Sequence, residues 1–292
     1  MTFLNKFAHK EKRDSDWDEI IRPQSSLLEL DLREIWRYRD LLMMFVKRDI
    51  VTFYKQTILG PLWFFIQPLF TTLMFMVIFG RMAGISTAGI PQGLFYMSGI
   101  LCWNYFADCL NRTSTTFKDN QNIFGKVYFP RVVVPVSIII SNLVRFGIQF
   151  ILFVVIYIYY LAKGTEVQPN WGILLFPILI LTMAVLSLGF GMIITSLTTK
   201  YKDLTFLVQF GVQLWMYATP IIYPLSAAPE KYRWIIAANP MTGIVETFKF
   251  GFLNQQPFHI GYLIYSAGFA IVLFFTGIVV FNRVERSFMD TI

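Results

Sequence analysis

The chain has 292 residues, of which 55% are hydrophobic and only 15% are charged, and this balance excludes an ordinary soluble globular protein. Several stretches of about 20 residues carry no charge, which is the length that crosses roughly 30 Å of hydrocarbon as a helix, and the alternating segments of a transmembrane β-barrel are absent. The formal net charge of +7 is typical of the basic cytoplasmic loops of a membrane protein and requires no nucleic-acid partner. The composition therefore predicts an all-α membrane protein that contacts lipid.

The N-terminal part of the chain divides into a polar tail and a basic amphipathic helix. Residues 1–30 lack the apolar core of a cleavable signal peptide, so we expect this end to stay in the cytoplasm. In residues 31–57, apolar side chains recur at helical spacing and basic side chains fill most positions between them, which predicts an interface helix in the headgroup plane. A lipid anchor and a partner-binding face both fit this helix. Its candidate interface residues are Trp36, Arg37, Phe45, Lys47 and Arg48.

Residues 58–292 form the predicted transmembrane domain, in which we expect six spans. The predicted spans are Leu59–Phe79, Leu94–Thr116, Val132–Leu161, Ile173–Leu197, Thr205–Pro220 and Gly261–Phe281. Most lysines and arginines lie in the N-terminal region, in alternate loops and in the C-terminal tail, so the positive-inside rule places both termini in the cytoplasm. In the fourth span, Gly189 and Gly191 favour close packing against a neighbouring helix.

The loop of residues 118–131, which follows the second span, combines basic side chains with apolar ones. A solvated loop has no need of the apolar members, so this combination indicates a docking surface at the cytoplasmic edge of the membrane. Pro130 ends the short helix before it, because the residue preceding a proline avoids the helical conformation. The candidate docking residues are Asn122, Ile123, Phe124, Lys126, Tyr128, Phe129, Pro130 and Arg131.

Two ionisable residues lie within the predicted spans. Arg145 is near the middle of the third span, which has 30 residues and is expected to tilt or protrude because it is longer than a bilayer requires. An arginine at that depth costs about 3 kcal/mol or more unless it faces a cavity or a partner. Asp108 in the second span is a candidate partner. A structural ion pair and the polar wall of a conduit both account for Arg145.

Residues 220–257 are predicted to form an outward gate region. Five of the 13 prolines fall here and bound two apolar pieces, Tyr232–Ala238 and Met241–Leu253, that are too short to cross the bilayer. Such pieces fit two short re-entrant helices, which are tolerated at membrane depth where they pack in protein or line a cavity. Glu246 and Lys249, three residues apart, are expected to form an ordinary pair on a helix surface.

No catalytic or energy-converting motif is found in the sequence, which lacks a P-loop, HExxH, GxSxG and Cys-x-x-Cys. Cys102 and Cys109 lie seven residues apart, which on a helix is about 10 Å and too far for a disulfide. His9 and His259 are isolated, so no metal site is expected. We therefore expect a protein that is not an enzyme. If it moves a substrate uphill, a separate subunit must supply the work.

Five short pieces, in order along the chain, resemble the permease subunits of ABC-2 type exporters, and most closely those of the polysaccharide exporters. The pieces are Tyr54–Trp63, Asn122–Arg131, Tyr201–Leu204, Ala218–Tyr223 and Asn239–Met241, within a likeness that covers about 30–286. Members of the family often have arginine where this chain has Lys202, a departure that preserves the charge. The resemblance implies export of lipid-linked O-antigen, capsule or teichoic acid chains across a bacterial inner membrane.

The resemblance also implies an assembly and a role for each region. Two copies of this chain would form a homodimer and bind two copies of an ABC ATPase, which would hold ATP and magnesium, while this chain itself binds no cofactor. Residues 118–131 would form the coupling helix seated in the ATPase, and residues 220–257 the outward gate. The family's channel is lined by aromatic residues that stack on sugar rings, although an ordinary interfacial aromatic belt explains such residues equally well. The candidate conduit aromatics are Trp63, Trp103, Tyr105, Trp215, Tyr217 and Tyr223.

Three other functions remain open from the sequence. An ABC-2 exporter of a small molecule or lipid shares every cytoplasmic feature, but it predicts a closed central pocket in place of a continuous aromatic path. An integral membrane glycan transferase needs carboxylates or a metal-binding pair near one face, whereas the acidic residues here lie mostly in the tail and at isolated positions. A passive channel or scaffold has no need of the docking loop.

Overall fold

The computed structural model describes residues 32–55, 58–165, 167–201 and 203–288, and the regular structure within these ranges is helical, as predicted. The α-helices are α1 (Leu32–Arg37), α2 (Arg39–Tyr54), α3 (Trp63–Phe75), α4 (Gln92–Thr113), α5 (Thr116–Asp119), α6 (Gln121–Phe124), α7 (Val133–Ala162), α8 (Phe176–Thr198), α9 (Leu204–Tyr217), α10 (Glu230–Ala237), α11 (Pro240–Leu253) and α12 (Ile260–Phe288). Gly60–Leu62, Trp171–Leu175 and Leu225–Ala227 are 3₁₀-helices, and Met76–Met82 is a π-helix. The predicted tail of residues 1–30 and Lys202 lie outside the described residues.

Among the described residues, four helical segments are long and apolar enough to cross a bilayer. They are Gly60–Met82, Val133–Ala162, Trp171–Thr198 and Ile260–Glu285. They occupy the positions of the first, third, fourth and sixth predicted spans. In the position of the second span, α4 has 22 residues but carries several polar side chains, and in the position of the fifth, α9 has only 14. The count of six spans therefore stays a prediction.

The predicted interface helix is divided into α1 and α2, with Tyr38 between them. Beyond α2, Gly60 takes a positive φ of 49°, a conformation that glycine adopts without a steric penalty. Pro61 follows in the first helical turn, where its missing amide proton costs no hydrogen bond. These two residues turn the chain from α2 into the first membrane-spanning segment.

The centre of the molecule is α4, which packs against α3, α7, α8 and α11. The most extensive contact between two helices joins α8 and α12. A Cβ atom on Gly277 would lie 2.7 Å from the carbonyl oxygen of Gly189, and a Cβ atom on Gly191 would lie 2.5 Å from the side chain of Thr113. The predicted close packing at Gly189 and Gly191 is therefore confirmed.

The two ends of the helical bundle differ in character. At one end, here called the α2 end, α2 packs against α7, and residues of α5, α6 and α12 join the same apolar cluster. At the other, here called the α11 end, the amide of Asn170 donates to the carbonyl of Phe250 at 2.8 Å. All 14 residues of α11 are buried, whereas α10 has no buried residue.

Candidate functional site

The coupling segment, here residues 116–131, consists of α5, α6 and a turn that leads into α7. Asn120 joins the two short helices. Its side-chain amide donates to the carbonyl of Thr116 at 3.0 Å, and its own carbonyl accepts from the amide of Phe124 at 3.0 Å. Helices this short are not stable by themselves, so their conformation depends on such bonds and on packing.

Three phenylalanines of the coupling segment point into the bundle and form what we call the aromatic anchor. Phe117 stacks on Phe281 of α12 with ring centroids 4.7 Å apart. Phe124 lies 5.9 Å from Phe117 and 5.7 Å from Phe129. Phe129 in turn lies 5.7 Å from Phe45 of α2. All five rings are buried, so the aromatic anchor connects α2 and α12 through the coupling segment.

Arg131 fastens the same segment to the end of α12. Its Nη1 donates to the carbonyl oxygen of Glu285 at 3.2 Å, and its Nε lies 3.7 Å from the Glu285 carboxylate. The guanidinium also lies 5.4 Å from the ring centre of Phe124. Burial lowers the pKa of Arg131 from its usual value and the nearby carboxylate opposes that shift. Arg131 is thus a structural link inside this chain.

The rest of the coupling segment forms an exposed tip at Lys126, Val127 and Tyr128. Among the predicted docking residues, Asn122, Lys126 and Tyr128 are exposed, Ile123 and Pro130 are half-buried, and Phe124, Phe129 and Arg131 are buried. The predicted docking set therefore divides into a buried base and an accessible tip. Of the predicted docking residues, the exposed Asn122, Lys126 and Tyr128 can touch another protein without opening the fold.

The α2 helix covers the start of α7 with one face and leaves its other face open. Leu42, Phe45 and Val46 are buried on the covered face. Of the candidate interface residues, Phe45 points inward, while Trp36, Arg37, Lys47 and Arg48 are exposed. The open face remains available to lipid or to a partner.

Asp49 is a buried acidic residue whose position the sequence analysis did not single out. It accepts hydrogen bonds from Arg48 at 3.0 Å and from Arg112 of α4 at 3.1 Å. A cavity of about 170 Å³ borders all three side chains. The signal in the sequence was a carboxylate inside a strongly basic helix. Through Asp49, α2 is joined to α4 as well as to α7.

The structure brings Asp108 and Arg145 together. Nη1 of Arg145 donates to Oδ2 of Asp108, and the guanidinium lies 5.1 Å from the ring centre of Phe64. The side chain of Asp108 keeps 36% of its surface exposed and that of Arg145 keeps 18%. The ion pair is therefore present. A polar wall remains compatible with it, because both groups still reach the surface of the chain.

The candidate conduit aromatics are spread over very different environments. Trp103 and Tyr105 are buried; Trp103 lies 6.1 Å from Trp215, and Tyr105 lies 5.3 Å from Phe146. Trp63 and Tyr217 are exposed, while Trp215 and Tyr223 are half-buried. In this conformation Trp103 and Tyr105 are part of the core and present no surface to a sugar.

The prediction of a surface pair at Glu246 and Lys249 is wrong, because α11 is enclosed and has no open face. Lys249 has no exposed surface. Its Nζ donates to the carbonyl oxygen of Pro220 at 2.7 Å and lies 3.5 Å from the ring centre of Phe95. Glu246 is also buried and accepts a hydrogen bond from Gln255 at 2.9 Å. The signal in the sequence was the high proportion of apolar residues on both sides of Glu246 and Lys249.

The described residues offer no cluster of three or more His, Cys, Asp or Glu side chains that could hold a metal ion. Cys102 and Cys109 are free and buried, so the prediction that they form no disulfide is confirmed. Both thiols lie within α4 and away from solvent.

Comparison with known proteins places this architecture in a family. Residues 40–253, more than half of the chain, match the family model described as ABC-2 type transporter. The chain belongs to the ABC-2 type transporter family. The resemblance inferred from five short pieces of the sequence is thereby confirmed.

Three characterised relatives match this ABC-2 permease over most of their length. This chain is 27% identical to the O-antigen export system permease protein RfbA of Myxococcus xanthus over 264 residues. The matched region covers 89% of this chain and 98% of the relative. The protein of the same name from Klebsiella pneumoniae is 29% identical over 259 residues, covering 86% and 94%. The polysialic acid transport protein KpsM of Escherichia coli is 24% identical over 253 residues, covering 84% and 93%.

Proposed function

We propose that this ABC-2 permease is the membrane subunit of an ATP-driven exporter, which moves a lipid-linked polysaccharide outward across the bacterial inner membrane. The names of relatives that match nearly end to end support this substrate class, because they refer to O-antigen export and polysialic acid transport. The proposed assembly contains two copies of this chain and two copies of an ABC ATPase. ATP and magnesium bind to the ATPase, and no residue of this chain acts as a catalyst.

The observation that carries the proposal is the two-sided construction of the coupling segment. Its tip, Lys126 to Tyr128, is exposed and combines a positive charge with apolar surface. Its base is held by the aromatic anchor and by Arg131. A mobile loop would absorb a push from a partner, whereas a tip on a packed base transmits it.

Three contacts carry the movement from the coupling segment into the bundle. The aromatic anchor reaches α2 and α12 through Phe45 and Phe281. The backbone amide of Phe117 donates to the hydroxyl of Thr195, near the end of α8, at 3.3 Å. A displacement of the tip therefore moves several helix ends together, as in rigid-body transitions of packed elements. In the homodimer, that movement opens a path between the two copies.

The α10 and α11 helices form the proposed outward gate, and their contacts link them to the end of α9. Asn239, between the two helices, donates from its side chain to the hydroxyl of Thr219 at 2.8 Å. Nζ of Lys249 donates to the carbonyl oxygen of Pro220, the residue that follows Thr219. A movement of α9 therefore displaces the gate directly.

The proposal is tested by purifying tagged protein from its native membranes in mild detergent and assaying ATPase activity in the eluate. The variant is Tyr128→Ala, whose side chain is 53% exposed, and the matched control is Tyr159→Ala on α7, whose side chain is 55% exposed. If Tyr128 docks into the ATPase, its truncation costs about 2 kcal/mol, or roughly thirtyfold in affinity. The control keeps the ATPase.

An ATPase that co-purifies with wild type and with Tyr159→Ala, and not with Tyr128→Ala, supports the exporter and its docking surface. If no ATPase accompanies the wild-type protein, the proposed motor is wrong. Cells lacking this chain should also lose a surface polysaccharide and retain the lipid-linked polymer inside. An unchanged cell surface together with the loss of a small exported compound would favour the small-molecule exporter instead.

A further inference from the structure

The α4 helix has a single open face, and that face is polar. Apart from Gln92 at its start, the incompletely buried residues of α4 are Asn104, Ala107, Asp108, Asn111 and Arg112. Their spacing of three, one, three and one residues places them on one side of a helix. Four of the five are polar or charged. We call this face, together with Arg145 of α7, the polar stripe.

Most exposed positions of the membrane-spanning helices elsewhere are apolar, and the polar exceptions, such as Gln67 of α3 and Thr276 of α12, are isolated. Ile151 of α7 is 61% exposed, Leu181 of α8 is 63% exposed and Val272 of α12 is 67% exposed. Such side chains suit contact with lipid tails. Polar groups of the kind found in the polar stripe are expensive in hydrocarbon and normally face a bundle interior or a water-filled cavity. The difference indicates that the polar stripe does not face lipid.

The polar stripe also has hydrogen-bonding capacity that the chain does not use. The side-chain oxygen of Asn111 is inaccessible and accepts no hydrogen bond. One turn before Arg145, Asn142 is only 1% exposed, and its side-chain oxygen likewise has no partner. Buried oxygens without partners are rare in folded proteins. Both oxygens are closed to solvent in this conformation, so a ligand reaches them only after the helices rearrange, and the half-buried Asn104, Asp108 and Arg112 form the accessible part of the polar stripe.

We propose that the polar stripe lines the path of the exported chain and binds the hydroxyl groups of its sugars. The charges favour an uncharged hydroxyl-rich ligand, because Asp108 pairs with Arg145 and Arg112 pairs with Asp49. The amides of Asn104 and Asn111 can both donate and accept, which matches the two roles of a hydroxyl group. This inference rests on the proposed export function and specifies which surface of the permease binds the exported polymer.

The first test asks whether the polar stripe lies on an aqueous path. Asn104→Cys and Asn111→Cys are compared with Ile151→Cys and Leu181→Cys in inverted inner-membrane vesicles exposed to a membrane-impermeant maleimide. The native Cys102 and Cys109 are buried and supply the unlabelled background. We expect labelling at the stripe positions to be at least about tenfold faster than at the two lipid-facing positions, because only a hydrated thiol forms the reactive thiolate.

The second test asks whether the amides act on the polymer. The double variant Asn104→Leu/Asn111→Leu is expected to lower surface polysaccharide several-fold while the co-purified ATPase stays at the wild-type level. Asn104→Gln/Asn111→Gln, which restores amides, should recover most of the export. Retention of the ATPase shows that the complex is assembled, so a loss of export cannot then be attributed to misfolding.

Two results would overturn the inference while leaving the export function intact. One is labelling of the stripe cysteines no faster than of Ile151→Cys with normal export in the leucine variant. The other is disulfide cross-linking of Asn104→Cys between two copies together with no maleimide labelling of the stripe cysteines, which would make the stripe a closed contact between subunits and not an aqueous path. Failure of the export function itself is recognised separately, by the absence of an ATPase in the wild-type eluate.

Discussion

Lys249 carries an ammonium group inside a helix that contacts protein on every side. The group donates to the carbonyl of Pro220 at 2.7 Å and faces the ring of Phe95 at 3.5 Å. Glu246, one turn earlier, adds a carboxylate to the same buried region. A buried polar group is tolerated when fixed dipoles replace the water it has lost. The side chain of Lys249 therefore ties α11 to Pro220, in the segment that follows α9.

Replacing Lys249 by methionine keeps most of the side-chain volume and removes the donor. We expect Lys249→Met to lower the free energy of unfolding by about 1–3 kcal/mol, because the carbonyl of Pro220 is left buried without its partner. The measurement is the apparent Tm of the purified protein in detergent, with Lys231→Met on the exposed α10 as the control. Equal Tm values for the two variants would show that the buried bond contributes nothing.

At the scale of elements, the contact between α8 and α12 depends on the absence of side chains. The backbone of Gly189 lies so close to Gly277 that a Cβ atom on the latter would approach the Gly189 carbonyl to 2.7 Å. Between membrane helices there is little hydrophobic driving force, so close backbone packing of this kind supplies much of the association energy. The α12 helix is therefore held by its fit to α8.

Two glycines of the same helix make a matched pair of alanine substitutions. Gly277→Ala forces α8 and α12 apart and should cost about 1–3 kcal/mol, as overpacking does. Gly268→Ala meets no atom within 4 Å and should be neutral or slightly stabilising, since alanine favours a helix. Thermal unfolding of both variants in detergent provides the comparison. A Gly277→Ala protein as stable as Gly268→Ala would mean that the helices can adjust.

The exposed tip of the coupling segment shows what sequence patterns leave undetermined at this scale. Tyr128 and Phe129 are adjacent and were both predicted to dock, yet Tyr128 is exposed and Phe129 is buried. Periodicity identifies a buried face only in an element with several turns. The segment consists of two four-residue helices and a turn, so its direction changes before any period is established.

At the scale of the whole molecule, the class of protein and several boundaries follow from the sequence alone. Long uncharged stretches predicted an all-helical membrane protein, and the prolines of residues 220–257 marked a boundary at the start of α11, which begins at Pro240. The pairing of Asp108 and Arg145, 37 residues apart, was an accessible hypothesis because a buried arginine in a membrane has few possible partners. The charge of Arg145 and its depth in the predicted span leave few residues that could pair with it.

The enclosure of α11 could not be predicted in the same way. It arises from α4, α8 and α12, which surround the helix and are distant from it in the sequence, apart from α12. The local pattern showed a short apolar helix and left open whether its polar residues met solvent. Lys249 and Glu246 were therefore assigned to a surface that the assembled bundle does not have.

The orientation of the molecule in the membrane is the prediction on which the direction of transport depends. The positive-inside rule places the exposed tip of the coupling segment in the cytoplasm and α10 outside. Lys126→Cys and Lys231→Cys introduce exposed thiols at these opposite ends, and the native cysteines are buried. An impermeant maleimide applied to cells with a permeabilised outer membrane should label Lys231→Cys at least about tenfold faster, and inverted vesicles should reverse the preference, because only the accessible thiolate reacts. Labelling of Lys126→Cys from outside would separate the tip from any cytoplasmic ATPase and would rule out the proposed exporter.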